Sequence, residues 1–474
     1  MKRFTSPLPA IVSIGLTTVA VQAARPHYGG TLRIQTQATI RSLDPSATSA
    51  DADGSARRRA LPLVFETLTT IDPNGGLRPA LATAWERDAR AVVWRFHLRA
   101  AVTLHGGSPL QPWQVATALR TANPRWRIAT DGDVAVVEID QPNPGLPWEL
   151  ASLRNAITVR GAAGDLIGTG PFRLERLDPK QLSLRAHDEY WGGRPFVDVV
   201  QIDLGIDTND LLSNLELGRS DLAPVGPTDV RRVSQRGVRV VSSRPLTTYV
   251  LVFEPQRAGA SAEPIRRTIA GSIDREALRT VLLQGYGDPA IALLPRWLSG
   301  YVSPVTRADR ATSRAAVSAL PTAQRSLTLR VDRSDRLAQG LAERIAVDVR
   351  ESGLTMNVQM PVGLAPRPDA RLARLDLDAT TPDRALNDAI ASLGPRVLAL
   401  ATAEAALPAG APLDAVYRLE RALLDRYVVV PVVHVPELYG VADRVDAWSG
   451  EPVLPTGAWN VANIWLRTEQ PARR

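Results

Sequence analysis

The sequence predicts an α/β fold of mixed sheets flanked by helices, and three segments of the 474-residue chain support this prediction. Trp94, Phe96 and Leu98 alternate with polar residues, as in a strand with one buried face. Residues 327–360 follow the pattern strand, helix, strand, and residues 413–433 repeat the step from a helix to a strand. We therefore expect strands and turns in the first half of the chain and alternating helices and strands in the second.

The N-terminal segment has the composition of a secretory signal peptide over residues 1–23. Lys2 and Arg3 precede an apolar stretch from Leu8 to Val21, and small residues follow at Val21-Gln22-Ala23. The apolar stretch is shorter than a membrane-spanning helix requires. We therefore expect cleavage at the end of this segment and an exported protein.

A short helix is predicted to begin at Pro112, after the turn Gly106-Gly107-Ser108-Pro109. Proline is well suited to the first helical position, because it has no N–H that would need a partner there. Val115, Ala118 and Leu119 lie on one side of this helix, which predicts that this side is buried.

The second half of the chain contains a complete βαβ pattern. Apolar residues alternate from Leu327 to Val331, and then recur at every fourth position from Leu337 to Ile345. Ser334 or Asp335 is the expected N-cap of the helix. The strand predicted over 354–360 should pair in parallel with the first one through a right-handed crossover.

Several further motifs follow one another along most of the chain. They are Tyr28–Arg33 with Leu43-Asp44-Pro45, the segment Val64–Arg120, Gly168–Phe172 with Tyr190–Gly193, Pro264–Gly285, and Leu419–His434. In this order and composition they resemble the peptide/nickel family of solute-binding proteins of ABC importers. The Val64–Arg120 segment carries most of the resemblance, through its successive phrases FETL, RPALATAW and WRFHLR.

The resemblance implies a two-lobed periplasmic-binding-protein fold of type II, with an extra subdomain inserted in the N-terminal lobe. By this analogy, residues 24–48, 165–254 and 438–474 form the core of the first lobe. Residues 49–164 form the inserted subdomain, and residues 255–437 form the second lobe. The resemblance also implies that the solute is bound in a cleft between the lobes.

Composition and charge exclude several other classes of protein. The net charge of +7 comes almost entirely from arginine, since lysine occurs only at Lys2 and Lys180. These arginines alternate with acidic residues and form no long basic block, so we do not expect a nucleic-acid partner. The chain contains no cysteine, which excludes disulfides, thiolate metal sites and a lipid-modified cysteine. With the resemblance, this favours a free periplasmic protein.

The sequence contains no recognisable catalytic arrangement. Its five histidines are scattered, and no zinc-protease motif, nucleophile elbow or phosphate-binding loop occurs. Gly168-Thr169-Gly170 runs directly into Pro171, so no helix follows that could hold a phosphate. We therefore expect neither enzymatic activity nor a cofactor, and the resemblance implies none.

Two aspartates are candidates for contact with a ligand. Peptide-binding members of the family carry a tryptophan-rich loop whose aspartate pairs with the amino group of the ligand. The corresponding residues 375–383 contain no tryptophan here, with Asp383 as the closest positional equivalent and Asp378 as the second. The competing role for Asp383 is the N-cap of a following helix.

Two aromatic residues complete the candidate ligand site. Tyr249 lies on the strand expected to cross between the lobes, and packing within that strand is its competing role. Trp126 and Trp148 fall in a less regular part of the inserted subdomain, from which the family often draws its cleft aromatics. We select Trp126 as a candidate, with core packing as the alternative.

These observations predict a monomeric periplasmic solute-binding protein. It would capture a peptide-like or other small solute between its lobes, close around a hinge, and deliver the solute to an ABC permease in the inner membrane. The alternative is a diverged interaction or sensor protein of the same fold with a reduced pocket, because the loop at residues 375–383 is trimmed.

Overall fold

The computed structural model describes most of the chain outside the N-terminal segment. The described residues are 26–47, 54–72, 76–161, 164–254, 263–301, 315, 317–318, 321, 324–361, 366–377, 381–403, 407–446, 448, 452–454 and 457–467. The predicted signal peptide and Asp378 lie outside these residues.

The described strands are numbered in chain order. They are β1 Thr31–Gln35, β2 Thr69–Ile71, β3 Leu77–Pro79, β4 Ala82–Arg87, β5 Val93–Leu98, β6 Arg127–Asp131, β7 Val134–Glu138, β8 Val159–Arg160, β9 Leu166–Ile167, β10 Phe172–Leu177, β11 Gln181–Ala186, β12 Val199–Asp203, β13 Leu222–Pro224, β14 Arg239–Phe253, β15 Asp288–Pro289, β16 Ser326–Arg330, β17 Thr355–Gln359, β18 Ala370–Asp376, β19 Val429–Val441, β20 Val445–Asp446 and β21 Trp465–Leu466.

The described helices are numbered in the same way. They are α1 Gly54–Val64, α2 Pro112–Ala122, α3 Leu146–Glu149, α4 Thr208–Glu216, α5 Val230–Gln235, α6 Glu263–Ser272, α7 Arg275–Ala277, α8 Arg296–Ser299, α9 Arg336–Arg350, α10 Pro382–Ser392, α11 Pro395–Ala403 and α12 Leu413–Leu424. Among the described residues, no helix is long and apolar enough to cross a membrane.

One eleven-stranded mixed sheet runs through both halves of the molecule. Ten strands follow the order β10-β11-β12-β1-β13-β19-β14-β18-β16-β17, and β15 pairs with β19. Strand β1 is parallel to both β12 and β13, whereas β14 is antiparallel to both β18 and β19. The predicted mixed sheet is therefore present, and β14 and β19 lie at its centre.

The second half of the chain confirms the two patterns predicted for it. Strands β16 and β17 are parallel and are connected by α9, whose N-cap Asp335 accepts a hydrogen bond from the backbone N–H of Ala338 at 2.9 Å. Helix α12 spans Leu413–Leu424 and leads into β19. Regular apolar spacing thus predicted these elements to within a few residues.

Helices cover both faces of the sheet in this half, which we call the second lobe. One buried cluster contains Leu251 of β14 and Ile345 of α9. Another contains Val250 of β14, Leu386 of α10 and Leu419 of α12. Consecutive residues of β14 therefore pack into opposite faces, as expected for a strand covered on both sides.

The first lobe has its own buried cluster on the other half of the sheet. This cluster contains Leu32, Phe172, Ile202 and Val441. Helix α1 packs against it through residues such as Ala60. The first lobe and the second lobe therefore share one sheet but have separate hydrophobic cores.

The inserted subdomain is a four-stranded antiparallel sheet of order β4-β5-β7-β6, packed against α2. Its core contains Trp94 and Phe96 of β5 together with Val115 and Leu119 of α2. The alternation in residues 94–98 and the helix beginning at Pro112 are therefore confirmed.

Two long strands connect the lobes. On β14, Leu246 packs in the first-lobe core and Tyr249 in the second, while Pro245 lies opposite Pro436 of β19 at an irregularity in the pairing. This packing favours a crossing between Leu246 and Tyr249 on β14, just after Pro245 and before the predicted boundary at residue 254. The domain boundaries themselves stay predictions.

A buried carboxylate in the second lobe gives a test of this architecture. Glu420 of α12 accepts hydrogen bonds from the N–H groups of Leu293 (2.7 Å) and Leu294 (3.0 Å) and from the Tyr301 hydroxyl. We expect Glu420→Ala to lower the free energy of unfolding by about 3 kcal/mol or more, because buried donors lose their acceptor. Glu420→Gln keeps one acceptor oxygen and should cost much less. Urea unfolding of both variants measures the difference, and equal losses would contradict this role.

Candidate functional site

A cavity of about 230 Å³ lies between the inserted subdomain and the second lobe. We call it the interlobe cavity. The subdomain contributes Gly145, Trp148, Glu149 and Arg154 to its lining. The second lobe contributes Thr381, Asp383, Arg384, Asn387, Asp388, Ala409 and Gly410. The cavity is therefore lined by two parts of the chain that are more than two hundred residues apart.

Asp383 lies in the wall of the interlobe cavity, on the first turn of α10. Thr381, followed by a proline at the first helical position, is the N-cap of this helix, so the competing cap role for Asp383 is not observed. The Asp383 residue is only 6% exposed, and its Oδ2 accepts a hydrogen bond from the backbone N–H of Gly410 at 3.0 Å. Its carboxylate thus joins the start of α10 to the 407–411 loop.

The opposite wall is held in place by Glu149. Its Oε2 accepts a hydrogen bond from the Asn143 amide at 2.8 Å, and its Oε1 accepts one from the Arg154 guanidinium. Burial and the like charge of Arg384 lower the pKa of Arg154. The interlobe cavity therefore brings cationic groups from both of its sides close to one another.

Acidic groups of the second lobe balance these arginines. Arg384 lies 3.8 Å from the Asp388 carboxylate, which is at the exposed rim, with two thirds of its side chain accessible. Asp383 is deeper in the same wall. A solute entering this space would meet both positive and negative groups, and such an arrangement orients ligands that carry charges of their own.

A second polar group of residues lies near the crossing strands. The Asp376 carboxylate accepts hydrogen bonds from Thr247 (3.0 Å) and Arg374 (2.9 Å) within the second lobe, and lies 3.8 Å from Arg58 of the first lobe. Burial alone would raise the pKa of Asp376, but the Arg374 guanidinium holds it below its usual range. An anionic Asp376 therefore faces a cation across the junction of the lobes.

Tyr249 belongs to this second group and is 3% exposed. Its hydroxyl donates a hydrogen bond to Asp335 Oδ2 at 2.8 Å, and burial raises its pKa. The ring packs in the second-lobe core beside Leu251 and Ile345. Tyr249 is therefore placed close to the crossing strands, with its polar atom bonded to the N-cap of α9.

The two candidate tryptophans of the subdomain lie in different environments. Trp126 is partly buried and packs against the subdomain core. Trp148 lines the interlobe cavity, together with residues of the second lobe. Sequence reasoning named the irregular stretch that contains both residues but selected Trp126, and it did not select Glu149 or Arg154.

A partly buried glutamate attaches the subdomain to the first lobe. The Glu66 carboxylate accepts hydrogen bonds from Thr169 (2.8 Å), Tyr190 (2.9 Å) and the Trp191 indole (2.9 Å), and the Arg99 guanidinium lies 4.0 Å from the Trp191 ring. Burial raises the pKa of Glu66 to about 7, although these donors oppose the shift. Since Phe65 belongs to the first-lobe core and Leu68 to the subdomain core, Glu66 fixes one wall of the cavity relative to the first lobe.

Comparison with protein families gives a match over residues 76–383, more than half of the chain. The matching family is described as bacterial extracellular solute-binding proteins, family 5. The HTH-type transcriptional regulator SgrR of Salmonella typhimurium is 28% identical over 252 residues, which are 49% of this chain and 43% of the regulator. The chain thus spans less than half the length of this curated relative.

Solved structures share the fold over almost the whole chain. The oligopeptide-binding protein AppA from Bacillus subtilis, in complex with a nonapeptide, has a TM-score of 0.72 at 14% identity and covers 94% of this chain and 100% of its own. NikA from Brucella suis, in complex with Fe(III)-EDTA, has a TM-score of 0.79 at 17% identity and covers 92% of this chain and 100% of its own. The predicted type II fold is confirmed.

Glu66 should make stability depend on pH. Its pKa is raised from 4.5 in the unfolded chain to about 7 in the folded protein, so the folded protein binds more protons between these values. The contribution of Glu66 to the free energy of unfolding is therefore complete below pH 4.5 and is lost as pH rises through 7. Relative to wild type, Glu66→Gln should gain up to about 3 kcal/mol of unfolding free energy between pH 4.5 and 8.

Urea unfolding of both proteins at several pH values measures this difference. Other titrating groups, such as His434, act in both proteins and cancel in the comparison. A difference between variant and wild type that stays constant from pH 4.5 to 8 would contradict the titration of Glu66.

Proposed function

Because this chain belongs to the bacterial extracellular solute-binding proteins of family 5, we propose that it captures a small solute and delivers it to an ABC importer. The observation that carries this proposal is the interlobe cavity, whose walls come from both halves of a molecule joined by two strands. Rotation about those strands opens and closes such a space, and this is how hinged proteins admit and enclose ligands.

The volume of the interlobe cavity indicates the size of solute that we propose for it. This volume is about 230 Å³, and the cavity is open to solvent on one side. That space suits a molecule of the size of an amino acid, a dipeptide or a small chelate.

The charges of the lining favour a solute that carries an amine. Asp383 offers a carboxylate in a largely buried wall, where an ammonium group would replace water as its partner. Arg154 and Arg384 offer cationic groups to an acidic end of the same solute. We therefore propose Asp383 as a ligand contact, with Trp148 as the aromatic wall.

The other predicted site residues enter this proposal differently. Tyr249 lies near the crossing strands and donates a hydrogen bond to Asp335, and Trp126 packs against the subdomain core. Asp378 follows β18 and precedes α10 in the sequence, outside the described residues. It remains a candidate contact on the basis of its position in the chain.

We place the protein in the periplasm, as a monomer whose partner is a permease of the inner membrane. The basic start, short apolar stretch and small residues of positions 1–23 support export with removal of this segment. The family is extracellular in character, which is consistent with this location.

A second candidate function is sensing through protein interaction, and the similarity to SgrR favours it. SgrR is named as a transcriptional regulator, and the matched region covers 49% of this chain. The two functions differ in their partner, since a transport receptor in its solute-bound form should stimulate ATP hydrolysis by a reconstituted permease. A sensor would bind solute without this effect.

Solute binding gives the first test. A thermal-shift screen of the full chain with amino acids, dipeptides, opines, nickel–histidine and Fe(III)-EDTA should identify at least one stabilising compound. At a free concentration roughly 100 times Kd, that compound should add about 2.7 kcal/mol to the free energy of unfolding. Small-angle scattering should then show a smaller radius of gyration. Stabilisation without compaction would contradict hinge closure around the solute.

Asp383→Asn tests the proposed contact. For a solute with a free amine, we expect binding to weaken by about 2–5 kcal/mol, because a buried charged group loses its partner. Folding stability should change little, since the Asn oxygen can still accept the Gly410 N–H and Thr381 remains the helix cap. Isothermal titration calorimetry measures the affinity.

Asp414→Asn is the matched control for this experiment. It removes the same charge from an exposed ion pair with Arg418 on α12, outside the cavity lining. It should leave affinity unchanged and stability within about 1 kcal/mol. Equal affinities of wild type and Asp383→Asn would exclude Asp383 from the site.

A further inference from the structure

The backbones of Gly145 and Gly410 are in close contact across the interlobe cavity. A Cβ atom built on Gly145 of the subdomain would lie 3.1 Å from the Cα and 3.3 Å from the N of Gly410 in the second lobe. A Cβ atom built on Gly410 would lie 3.1 Å from the N of Gly145. A Cβ atom at either position would be closer than ordinary contact, so the facing backbone would have to move away by a few tenths of an ångström.

Each glycine is fixed within its own half by a buried polar side chain. The Oδ1 of Asn143 accepts a hydrogen bond from the Gly145 N–H at 2.9 Å, and the Asn143 amide is in turn bonded to Glu149. Asp383 Oδ2 holds the Gly410 N–H at 3.0 Å. Each of the two contacting backbone segments is therefore held by a hydrogen bond to a side chain of its own half. Neither segment can move away from the other without disturbing that hydrogen bond.

We propose that the contact between Gly145 and Gly410 is the stop that sets how closely the inserted subdomain approaches the second lobe. Both residues line the interlobe cavity, so the position of this stop also fixes the volume that the closed protein can enclose. Gly145 and Gly410 are positioning residues in this sense, and neither needs to touch the solute.

Gly145 can be substituted without straining its backbone, so the inference can be tested at this position. Its φ of −89° and ψ of 9° are open to L-residues, so a side chain at this position meets resistance only from its surroundings. Gly410 has a φ of +73°, where a substitution would be strained for local reasons, and it is therefore unsuitable for the test.

The experiment measures the distance between the two halves in Gly145→Ala and Gly145→Leu. Because the chain has no cysteine, Thr121→Cys on α2 and Ala391→Cys on α10 provide two unique and exposed sites for spin labels. Electron–electron double resonance on the full-length protein should show a shift to longer distances, larger for leucine than for alanine. Circular dichroism and melting temperature should remain close to wild type, because no core is altered.

Gly106→Ala and Gly106→Leu are the matched controls. Gly106 lies in the same subdomain, and the nearest atom to its added Cβ is a side-chain carbon of Ile167 at 3.9 Å, which is ordinary contact. These variants should leave the distance distribution unchanged. An unchanged distribution in Gly145→Leu, or an equal shift in Gly106→Leu, would overturn the inference.

The stop limits closure, and the proposed function requires that closure encloses a solute. Separate measurements test the stop and the proposed function. Label distances compared among glycine variants, without added solute, test the contact itself. Label distances in the wild-type background with and without Fe(III)-EDTA or dipeptides test solute-induced closure. A shift in the first comparison with none in the second would support the stop and count against the transport proposal.

Discussion

The pairing of β14 with β19 is the constraint on which the rest of the structure depends. These antiparallel strands extend from Arg239 beside Val441 in the first lobe to Val252 beside Val429 in the second. Two separate hydrophobic cores are built on the two ends of one ladder, so the lobes cannot drift apart laterally. At Pro245 and Pro436 the ladder is irregular, because proline has no N–H to donate. Bending is therefore easiest at the place where the cores change.

Three hydrogen-bonded carboxylates show how partners determine the role of an acidic group. Glu420 accepts bonds from two backbone N–H groups and a tyrosine hydroxyl within one lobe, so it holds local structure. Glu66 is bonded to Thr169, Tyr190 and Trp191 at the junction of subdomain and first lobe, so it fixes the orientation of one unit on another. Asp383 bonds to the Gly410 N–H in the cavity wall. Since a carboxylate can accept about four hydrogen bonds, this position retains capacity for a solute.

Local elements could be predicted from the sequence because their signals are local. The apolar spacing of α9 and α12 and the alternation in β5 needed only neighbouring residues, and the resemblance of Val64–Arg120 supplied the fold. The cavity could not be predicted in this way, because its walls join residues 145–154 to residues 381–410. Trp148 and Trp126 have similar surroundings in the sequence, and only the packing of the subdomain against the second lobe distinguishes them.

Asp383 illustrates the same limit at a single residue and connects the two halves of the site. From sequence, an aspartate before a helical pattern suggests a cap. In the structure the helix begins earlier, at Pro382, so that Asp383 lies within its first turn and lines the cavity. There its carboxylate supports Gly410, which in turn meets Gly145 of the subdomain. A solute amine bound to the same carboxylate would therefore add its attraction at the point where the two walls already touch. If Asp383 is the proposed ligand contact, a solute that also touched the subdomain wall would favour the closed arrangement, because it would make more contacts there than in the open one.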